Sequence, residues 1–389
     1  HLPINLDFFL PQPAQKWNGN TNENFIQDDN IPPGDFGIVT GNRLGIQTDA
    51  DTISFSDIAD ESTYDVANEF RFGVGDGDDI IGMSPIPEAS ALIFKRRSMW
   101  AITGLNLMAV TGQSPSITQI SKQTGCVSRH SIQNVGSAVF FLGDSGVYAI
   151  DIGLDASRAR GTLARFDLRD EPLSKPINDR ILAEDFDLAE IKCRSVFFNN
   201  RYFLSFNQTE EKSTVYIYNT LIGAWESIDE YPFTITDFVR GKTKVDKKER
   251  LYIANRQGRL YRIDDEFEAE ADRRTGYGTD DGTAISWELD TRAYDNQNLE
   301  VKDFRRGYAK LESLDSTGTI TLSADITDPD STRSISVARP SNEGYLDRFT
   351  VRKRGNSIKY KFSGTGRSVI KHVRTEFTQT NNNTISTKE

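Results

Sequence analysis

Apolar residues in this chain fall mainly in short runs that are separated by tight polar turns. Three segments share one pattern, an apolar strand, a polar turn and a second apolar strand: Ala91–Thr103, Val139–Asp151 and Leu251–Asp264. Tyr202–Asn219 is a looser copy. Short apolar runs on both sides of a polar turn predict antiparallel hairpins. Because the hairpins recur about every 45 to 65 residues, the pattern predicts radially repeated small sheets, the architecture of a β-propeller.

A further hairpin is predicted nearer the start of the chain. Phe36–Thr40 and Arg43–Thr48 are joined by a turn at Gly41–Asn42, and Thr52–Ser56 alternates as a third strand. Together with the four hairpins above, this segment predicts about five or six blades.

Beyond residue 283 the spacing of apolar runs changes to one typical of a β-sandwich. Seven strands are predicted there: Ala284–Tyr294, Phe304–Leu314, Thr317–Asp325, Arg333–Ala338, Arg348–Arg354, Ser357–Phe362 and Val369–Phe377. The sequence therefore predicts an all-β chain, a propeller followed by a C-terminal sandwich-like region.

The predicted domain plan has five parts. Residues 1–32 form an extended N-terminal arm, and 33–267 form the blades with an excursion near 153–190 that contains one helix, Pro176–Leu188. Residues 268–283 are an acidic linker, 284–377 the C-terminal β-rich domain, and 378–389 a tail.

Composition narrows the classes of function. The 389 residues carry a net charge of −11, which disfavours tight nonspecific DNA binding because that binding depends on Lys and Arg at phosphates. An acidic surface suits a channel that passes DNA without holding it. Cys126 and Cys193 are too few for a disulfide framework and are expected to be small buried residues in strands. No apolar run approaches the roughly 20 residues of a membrane-spanning helix.

The Gly/Asp-rich run Gly73–Asp79 is the candidate metal site. Asp76, Asp78 and Asp79 could ligate Ca²⁺ through oxygen atoms. The run lacks the spacing of an EF-hand loop, so a simple Gly/Asp turn is the alternative. His1, His130 and His372 are not at zinc-ligand spacing, and no cofactor is expected.

Three other groups of residues have both a functional and a structural interpretation. Gly143–Gly146 (GDSG) is similar to the surroundings of a protease serine but joins two strands of a repeat. Asp49, Asp51, Asp57 and Asp60 could supply a glycosidase pair or simply belong to solvated turns. The basic clusters Lys95–Arg97, Arg256–Arg262 and Arg352–Arg354 are hydrophilic turn residues, links between subunits, or contacts to passing DNA.

Several motifs, in their order and spacing, resemble the propeller-containing tail proteins of tailed bacteriophages. The resemblance spans roughly residues 36–376. It is carried by Gly41–Leu44, Ser54–Asp57 with Phe70, Gly75–Gly82, Ala91–Trp100, Gly125–Val127, Ser131–Asp151, Ile285–Thr291, Lys302–Phe304, Ala324–Asp325 and Arg352–Gly355. The most similar group is the tail tubular or nozzle proteins of short-tailed phages, with the related packaged-DNA stabilisation and tail-hub proteins.

The resemblance implies a virion protein that is structural and not catalytic. Such a protein forms a ring, commonly a hexamer, around the DNA exit channel and contacts other tail proteins such as the adaptor and fibres. A head–tail connector stopper or a tail hub is the alternative within this class. A β-propeller enzyme acting on glycans is the alternative from another class, and a monomeric cellular propeller scaffold is a third.

Overall fold

The computed structural model is all-β and divides into two compact units, residues 1–264 and 265–389. It describes residues 15–16, 26–106, 115–154, 164–209, 211–242, 247–263, 279–280, 283–295, 301–313, 319–327, 337–339, 345–366 and 368–379. Most residues of the predicted arm, linker and tail lie outside these ranges, as does most of the predicted strand Arg333–Ala338. The predicted domain boundaries stay a prediction, and the division between the units lies close to the one expected after residue 267.

The described residues of the first unit form five successive antiparallel sheets and one short strand pair. The pair is β1 (Gln15–Lys16) and β2 (Ile26–Gln27). Sheet 1 is β3 (Gly37–Thr40), β4 (Arg43–Asp49), β5 (Thr52–Phe55) and β6 (Glu69–Arg71). Sheet 2 is β7 (Ile80–Ile86), β8 (Ser90–Lys95), β9 (Met99–Thr103) and β10 (Ser116–Ser121). Sheet 3 is β11 (Gln133–Val135), β12 (Ala138–Gly143), β13 (Gly146–Leu154) and β14 (Ala164–Leu168).

The last two sheets of this unit follow the same order. Sheet 4 is β15 (Cys193–Phe198), β16 (Arg201–Thr209), β17 (Lys212–Asn219) and β18 (Ala224–Tyr231). Sheet 5 has three described strands, β19 (Ile235–Lys242), β20 (Glu249–Asn255) and β21 (Leu260–Ile263). In each of these five sheets every strand pairs with its neighbour in sequence, so all four predicted hairpins are confirmed.

Successive sheets pack face to face through shared cores, because alternate residues of a strand point to opposite faces. Phe141 packs towards sheet 2, while Phe140 and Leu142 of the same strand pack towards sheet 4. Phe203 packs towards sheet 5, while Tyr202 packs towards sheet 3. Sheets stacked in sequence order with a core between each pair are the blades of a β-propeller. The propeller architecture is therefore confirmed, and the count of five or six blades stays a prediction.

The predicted helix Pro176–Leu188 is wrong. The segment instead contains α1 (Asn178–Ile181), α2 (Ala189–Lys192) and the 3₁₀ turns Lys175–Ile177 and Phe186–Leu188. Both Ile177 and Phe186 contact the core between sheets 3 and 4, but a continuous helix would place them about 180° apart. An extended backbone at Asp185 solves this conflict. Two more 3₁₀ turns, Val66–Asn68 and Arg129–Ser131, lie between strands.

The second unit is a sandwich of two antiparallel sheets, as predicted. Sheet 6 has the order β24 (Ser286–Asp290), β29 (Ser357–Thr365), β26 (Thr319–Thr327) and β27 (Val337–Arg339). Sheet 7 has the order β28 (Tyr345–Gly355), β25 (Lys302–Ser313) and β30 (Ser368–Gln379). A separate pair is β22 (Thr279–Asp280) and β23 (Thr283–Ala284). Phe304 and Phe349 of sheet 7 meet Leu322 and Phe362 of sheet 6 in the core.

Among the described residues, no helix is both long enough and apolar enough to cross a membrane.

Candidate functional site: the connection face of the first unit

Two kinds of loop lie at the same end of the sheets in the first unit. Because the strands of each sheet alternate in direction, the turn between its second and third strands lies at the end from which the chain leaves for the next sheet. We call this end the connection face. Its described loop residues are 50–51, 72–79, 96–98, 122–132, 144–145, 169–192, 211, 232–234 and 256–259.

A buried lysine organises the part of the connection face between sheets 1 and 2. Lys95 ends β8 and its side chain is fully buried. Its Nζ donates to the carboxylate of Asp76 at 2.7 and 2.9 Å and to the carbonyl oxygen of Phe72 at 2.8 Å. Burying an ammonium is costly unless a carboxylate and further acceptors surround it. The sequence-based hypothesis that Lys95 is a hydrophilic turn residue is therefore wrong.

The carboxylates of the Gly/Asp run already have donors from the protein. Burial opposes ionisation of Asp76, but the hydrogen bonds from Lys95 and from backbone amides hold its pKa below the ordinary value. The carboxylate of Asp78 accepts from the backbone amides of Arg96 and Arg97 at 3.0 and 2.9 Å. This run therefore fixes the neighbouring turn of sheet 2.

The geometry of the run also depends on Gly73. Its φ is +63°, in the left-handed region, and a Cβ there would overlap the carboxylate of Asp76. Asp79, the third predicted calcium ligand, is exposed. Across the described part of the chain, no group of three or more His, Cys, Asp or Glu side chains could hold a metal ion. A calcium ion bound by Asp76 would have to compete with Lys95, and this site stays a prediction.

An ion pair joins the turns of sheets 2 and 3. Nη2 of Arg96 lies 3.0 Å from Oδ1 of Asp144, which belongs to the GDSG turn. The turn is held from its other side, because the backbone amide of Val147 donates to Oγ of Ser174 at 2.8 Å and Nδ2 of Asn178 donates to the carbonyl oxygen of Ser145 at 2.9 Å. The GDSG sequence thus acts as a hairpin turn clamped between neighbouring loops.

Aromatic side chains connect sheet 4 to its neighbours. The hydroxyl of Tyr202 is buried and donates to the carbonyl oxygen of Ser131 at 2.7 Å, and burial raises its pKa. Trp225 packs against the core between sheets 3 and 4. Its Nε1 donates to the carbonyl oxygen of Leu173 at 2.9 Å.

Three of the four scattered acids stabilise their own turns, and Asp57 contacts the 3₁₀ turn Val66–Asn68. Asp49 accepts from the amide of Ala50 at 2.7 Å, and Asp51 accepts from the hydroxyl of Thr52 at 2.8 Å. Asp57 accepts from the side chain of Asn68 at 2.9 Å. Oδ1 of Asp60 accepts from the amide of Ser62 at 3.0 Å. These contacts are those of solvated turns, the structural interpretation given above.

Both cysteines are buried, and they form no disulfide. Cys193 begins β15, while Cys126 lies between β10 and β11 and donates through Sγ to the carbonyl oxygen of Ser128 at 3.1 Å. The prediction of small buried residues is confirmed, although only Cys193 lies in a strand.

Charge is distributed unevenly between the first and last sheets of this unit. Residues 37–79 contain ten Asp and Glu against two Arg, a net charge of −8. The described residues of sheet 5, 235–242 and 247–263, contain eight Lys and Arg against two acids, a net charge of +6. The sequence analysis identified Arg256–Arg262 as a basic cluster but not the opposite charge of the two sheets, although a running sum of charges along the sequence would have revealed it.

Comparisons with known proteins identify no family for this chain. No family model matches it, and no curated protein matches it.

Some solved structures are similar to it. The exo-beta-1,3-galactanase of Phanerochaete chrysosporium is 11% identical, with 92% of this chain and 100% of that chain covered and a TM-score of 0.29. A chain of the BBS1N complex with ARL6DN is 11% identical with a TM-score of 0.34, and the match covers 58% of this chain and 62% of that chain. The dihydro-heme d1 dehydrogenase NirN is 8% identical with a TM-score of 0.33, and the match covers 82% of this chain and 57% of that chain. At these values the likeness assigns no activity, and the propeller architecture rests on sheet order and packing.

Proposed function

We propose that this protein is a structural subunit that assembles with copies of itself into a ring of a phage tail, the nozzle or tubular ring around the DNA exit channel. The observation that carries the proposal is the opposite net charge of residues 37–79, which are sheet 1 with the loop after it, and of the described residues of sheet 5, −8 against +6. The resemblance of several sequence motifs to those of tail tubular proteins is the reason for proposing a virion.

Opposite charges on the first and last described sheets of one subunit favour head-to-tail contact between identical copies. The acidic sheet of one subunit attracts the basic sheet of the next, and such heterologous contacts form a closed ring if the rotation between subunits closes. Complementary charge also disfavours the two like-charged pairings, which fixes the orientation. The resemblance favours a ring of six, with adaptor and fibre proteins as further partners.

Contacts within the connection face suit a subunit whose work is mechanical. The pair of Lys95 with Asp76 ties sheet 1 to sheet 2, and the pair of Arg96 with Asp144 ties sheet 2 to sheet 3. Loops fixed in this way give a stiff wall. With a net charge of −11, the wall would repel the backbone of passing DNA rather than retain it.

The first test is the mass of the particle in solution by light scattering at low and physiological salt. A multiple of the subunit mass near six, decreasing as salt rises, is the expected result. A monomer at all concentrations would contradict the ring, and turnover of oligosaccharides would favour the glycan-active enzyme instead. A stopper or a tail hub would also assemble, and binding of adaptor or fibre proteins separates these from the nozzle.

Charge-reversal variants test the head-to-tail contact directly. One variant reverses exposed acids at sheet 1, and a second reverses exposed arginines at sheet 5. We expect each to stay monomeric alone and a mixture of the two to assemble, because the reversed surfaces are complementary. The acidic set is Glu61→Lys, Glu69→Lys and Asp79→Lys, and the basic set is Arg256→Glu, Arg259→Glu and Arg262→Glu.

A matched control reverses three exposed basic residues that lie outside both sheets: Lys122→Glu, Arg169→Glu and Lys175→Glu. It changes the net charge as much as the arginine set does. If the control variant assembles while the arginine variant stays monomeric, the loss of assembly is due to the position of the charges at sheet 5. If all three variants assemble like the parent protein, the charge-based contact is wrong.

A further inference from the structure

The sandwich of the second unit contains a cavity between its two sheets. Its volume is about 470 Å³, within the range of roughly 300–1,000 Å³ that small-molecule sites span. Residues of β24 and β29 form the wall on the side of sheet 6, and residues of β25 and β30 form the wall on the side of sheet 7. The size and position of the cavity therefore fit a small guest held between the sheets.

Aromatic rings form much of this wall, and each side contributes a pair of them. The rings of Tyr294 and Tyr360 lie on the side of sheet 6, with their centroids 6.2 Å apart. The rings of Phe304 and Phe377 lie on the side of sheet 7, with their centroids 5.9 Å apart. Contacts between aromatic rings stabilise more than the buried area alone would. A flat aromatic guest could gain this stabilisation from both sides of the cavity.

Tyr294 lines the cavity because its backbone extends the edge of sheet 6. Its amide donates to the carbonyl oxygen of Ile358 at 2.9 Å, and its carbonyl oxygen accepts from the amide of Ile358 at 3.1 Å. Residues paired in this way across antiparallel strands have their side chains on the same face of the sheet. Since Ile358 belongs to the core of the sandwich, the ring of Tyr294 also faces sheet 7.

Most polar groups in the wall are engaged with the protein itself. The hydroxyl of Tyr360 is hydrogen-bonded to Oγ1 of Thr375 across the two sheets. Oγ1 of Thr291 accepts from the amide of Tyr360 at 3.0 Å. Nζ of Lys302 donates to the carbonyl oxygen of Asn356 at 3.0 Å, so the fold itself uses this ammonium. These contacts favour a guest whose body is apolar and uncharged.

The other two polar side chains of the wall, Tyr294 and His372, are exposed and lie at the mouth of the cavity. A phenol hydroxyl and an imidazole can each donate or accept a hydrogen bond. The apolar wall is also open to water, because Leu289 is 47% exposed and Phe377 is 36% exposed. Covering this area with a guest is favourable in proportion to the area removed from water. A guest with aromatic rings and one polar substituent would suit both parts of the wall.

We propose that the cavity of the sandwich binds a neutral, flat aromatic molecule. Its rings lie between the aromatic pairs of the two sheets, and one hydroxyl or N–H group lies at Tyr294 and His372. The guest needs no charge, because recognition depends on the rings and on the two polar groups at the mouth. The proposal concerns the second unit alone and is independent of the assembly of the first.

Binding is tested on the full chain with 2-naphthol, by calorimetry and by methyl NMR. We expect the methyl signals of Ile358 and Ile370, which line the cavity, to shift on titration. The signals of Ile53 and Ile253, buried in the first unit, should stay in place.

Two matched ligands separate the contributions of the rings and of charge. Decahydro-2-naphthol has the same carbon skeleton and hydroxyl group but no aromatic ring, and we expect it to bind roughly two- to tenfold more weakly than 2-naphthol. 2-Naphthoate has the same rings with a carboxylate in place of the hydroxyl group. We expect it to bind no more tightly than 2-naphthol, because the wall polar groups nearest the core already have partners in the protein.

Variants at the mouth test the two kinds of contact. Phe377→Leu keeps an apolar side chain but removes a ring, so we expect it to weaken 2-naphthol roughly two- to tenfold and to leave decahydro-2-naphthol almost unchanged. The double substitution Tyr294→Phe with His372→Leu removes both polar groups and keeps one ring. We expect it to weaken 2-naphthol about tenfold.

A third variant tests whether the guest occupies the cavity at all. Val373→Phe fills the cavity from a partly buried position in its wall, and it should abolish binding of both 2-naphthol and its saturated analogue. Val239→Phe, at an exposed position of sheet 5, is the control with the same change in size. Methyl spectra of each variant without ligand verify that the sandwich is folded.

The outcomes are decisive in both directions. Binding of 2-naphthol that is tighter than that of its saturated analogue, weakened by Phe377→Leu and blocked by Val373→Phe supports the proposal. Absence of binding to the parent protein overturns it, as does equal affinity for 2-naphthol and decahydro-2-naphthol. Tighter binding of 2-naphthoate, unchanged affinity in the double variant at the mouth, or shifted methyl signals outside the sandwich would also contradict it.

Discussion

Lys95 in the first unit and Lys302 in the second are both excluded from solvent, at 0% and 2% exposure, but they have different surroundings. Lys95 donates to the carboxylate of Asp76, which belongs to the adjoining loop of the same unit. Lys302 donates to a backbone carbonyl group and lines a cavity. The first ammonium fixes two sheets against each other, whereas the second contacts the turn between β28 and β29 of the sandwich.

This difference shows how a buried charge acquires a role from its neighbours. A charge that the fold itself neutralises restricts the backbone around it, as Lys95 does for residues 72–79. Lys302 instead donates to the turn between β28 and β29, so its hydrogen bond connects elements within the sandwich. The following predictions test whether the two units differ in this way.

The largest effect is expected when the carboxylate of the Lys95 pair is removed. Asp76→Ala leaves an ammonium buried without its carboxylate, a change that typically costs about 3–5 kcal/mol. Because Asp76 itself is 36% exposed, we expect the lower end of that range. Urea unfolding monitored by Trp100 and Trp225 of the first unit measures the change.

The control for this variant is the double substitution Lys95→Met with Asp76→Asn. It removes both charges and keeps the volume, so we expect most of the lost stability to return. If Asp76→Ala alone shifts the unfolding of the first unit by less than about 1 kcal/mol, the pair does not fix the loop as described.

A comparable position in the second unit depends on packing instead of charge. A Cβ at Gly307 would overlap the ring of Phe349, which is buried in the core of the sandwich. Overpacking of a core typically costs about 1–3 kcal/mol. We expect Gly307→Ala to lower the stability of the second unit by that amount, as measured by the loss of its methyl signals in urea. Gly258→Ala shares the change in size but has open space around it, and it should leave the second unit unaffected.

The sequence predicted the strands much better than it predicted these two sites. Alternating apolar runs and turn residues such as Gly143–Gly146 act within a dozen residues of one another, so a local pattern is sufficient to identify a hairpin. Lys95 looks like part of a solvated turn because Arg96 and Arg97 follow it. Its partner Asp76 lies in a different loop and approaches it only once sheets 1 and 2 pack together.

The cavity was even less accessible to prediction from sequence. Its wall combines β24, β25, β29 and β30, which are distant in sequence and meet only in the sandwich. The failed helix at Pro176–Leu188 has a similar cause, since the local pattern favoured a helix while the core between sheets 3 and 4 required Ile177 and Phe186 on one side. In each case tertiary packing determined what the local sequence left open.

A smaller effect concerns the pH dependence of the first unit. The pKa of Asp76 is lowered from its ordinary value of 3.8, so the native state favours the ionised carboxylate. Its contribution to stability is therefore complete above the unfolded value and is lost as pH falls through the folded value. We expect acid to destabilise the parent protein more steeply than Asp76→Asn below about pH 4. If the urea midpoints of the parent protein and of Asp76→Asn change with pH at the same slope, this assignment is wrong. Asp187→Asn, which removes the charge of an exposed acid, is the control.

The smallest effects are expected at exposed ion pairs in both units, where solvent screens the attraction. Arg96 with Asp144 links sheets 2 and 3, and Lys359 with Asp290 joins neighbouring strands of the sandwich, with side chains about one third to one half exposed in both pairs. Exposed pairs of this kind contribute roughly 0.2–1 kcal/mol to stability. We expect Arg96→Gln and Lys359→Gln each to lower the free energy of unfolding by an amount in that range.

Measuring the loss of stability in both variants at low and at high salt sharpens the comparison with Lys95, because only a buried pair should keep its strength as salt rises. If Arg96→Gln destabilises the first unit as strongly as Asp76→Ala, burial is not what distinguishes the Lys95 pair, and the stiffness of the connection face must be distributed over its exposed contacts as well.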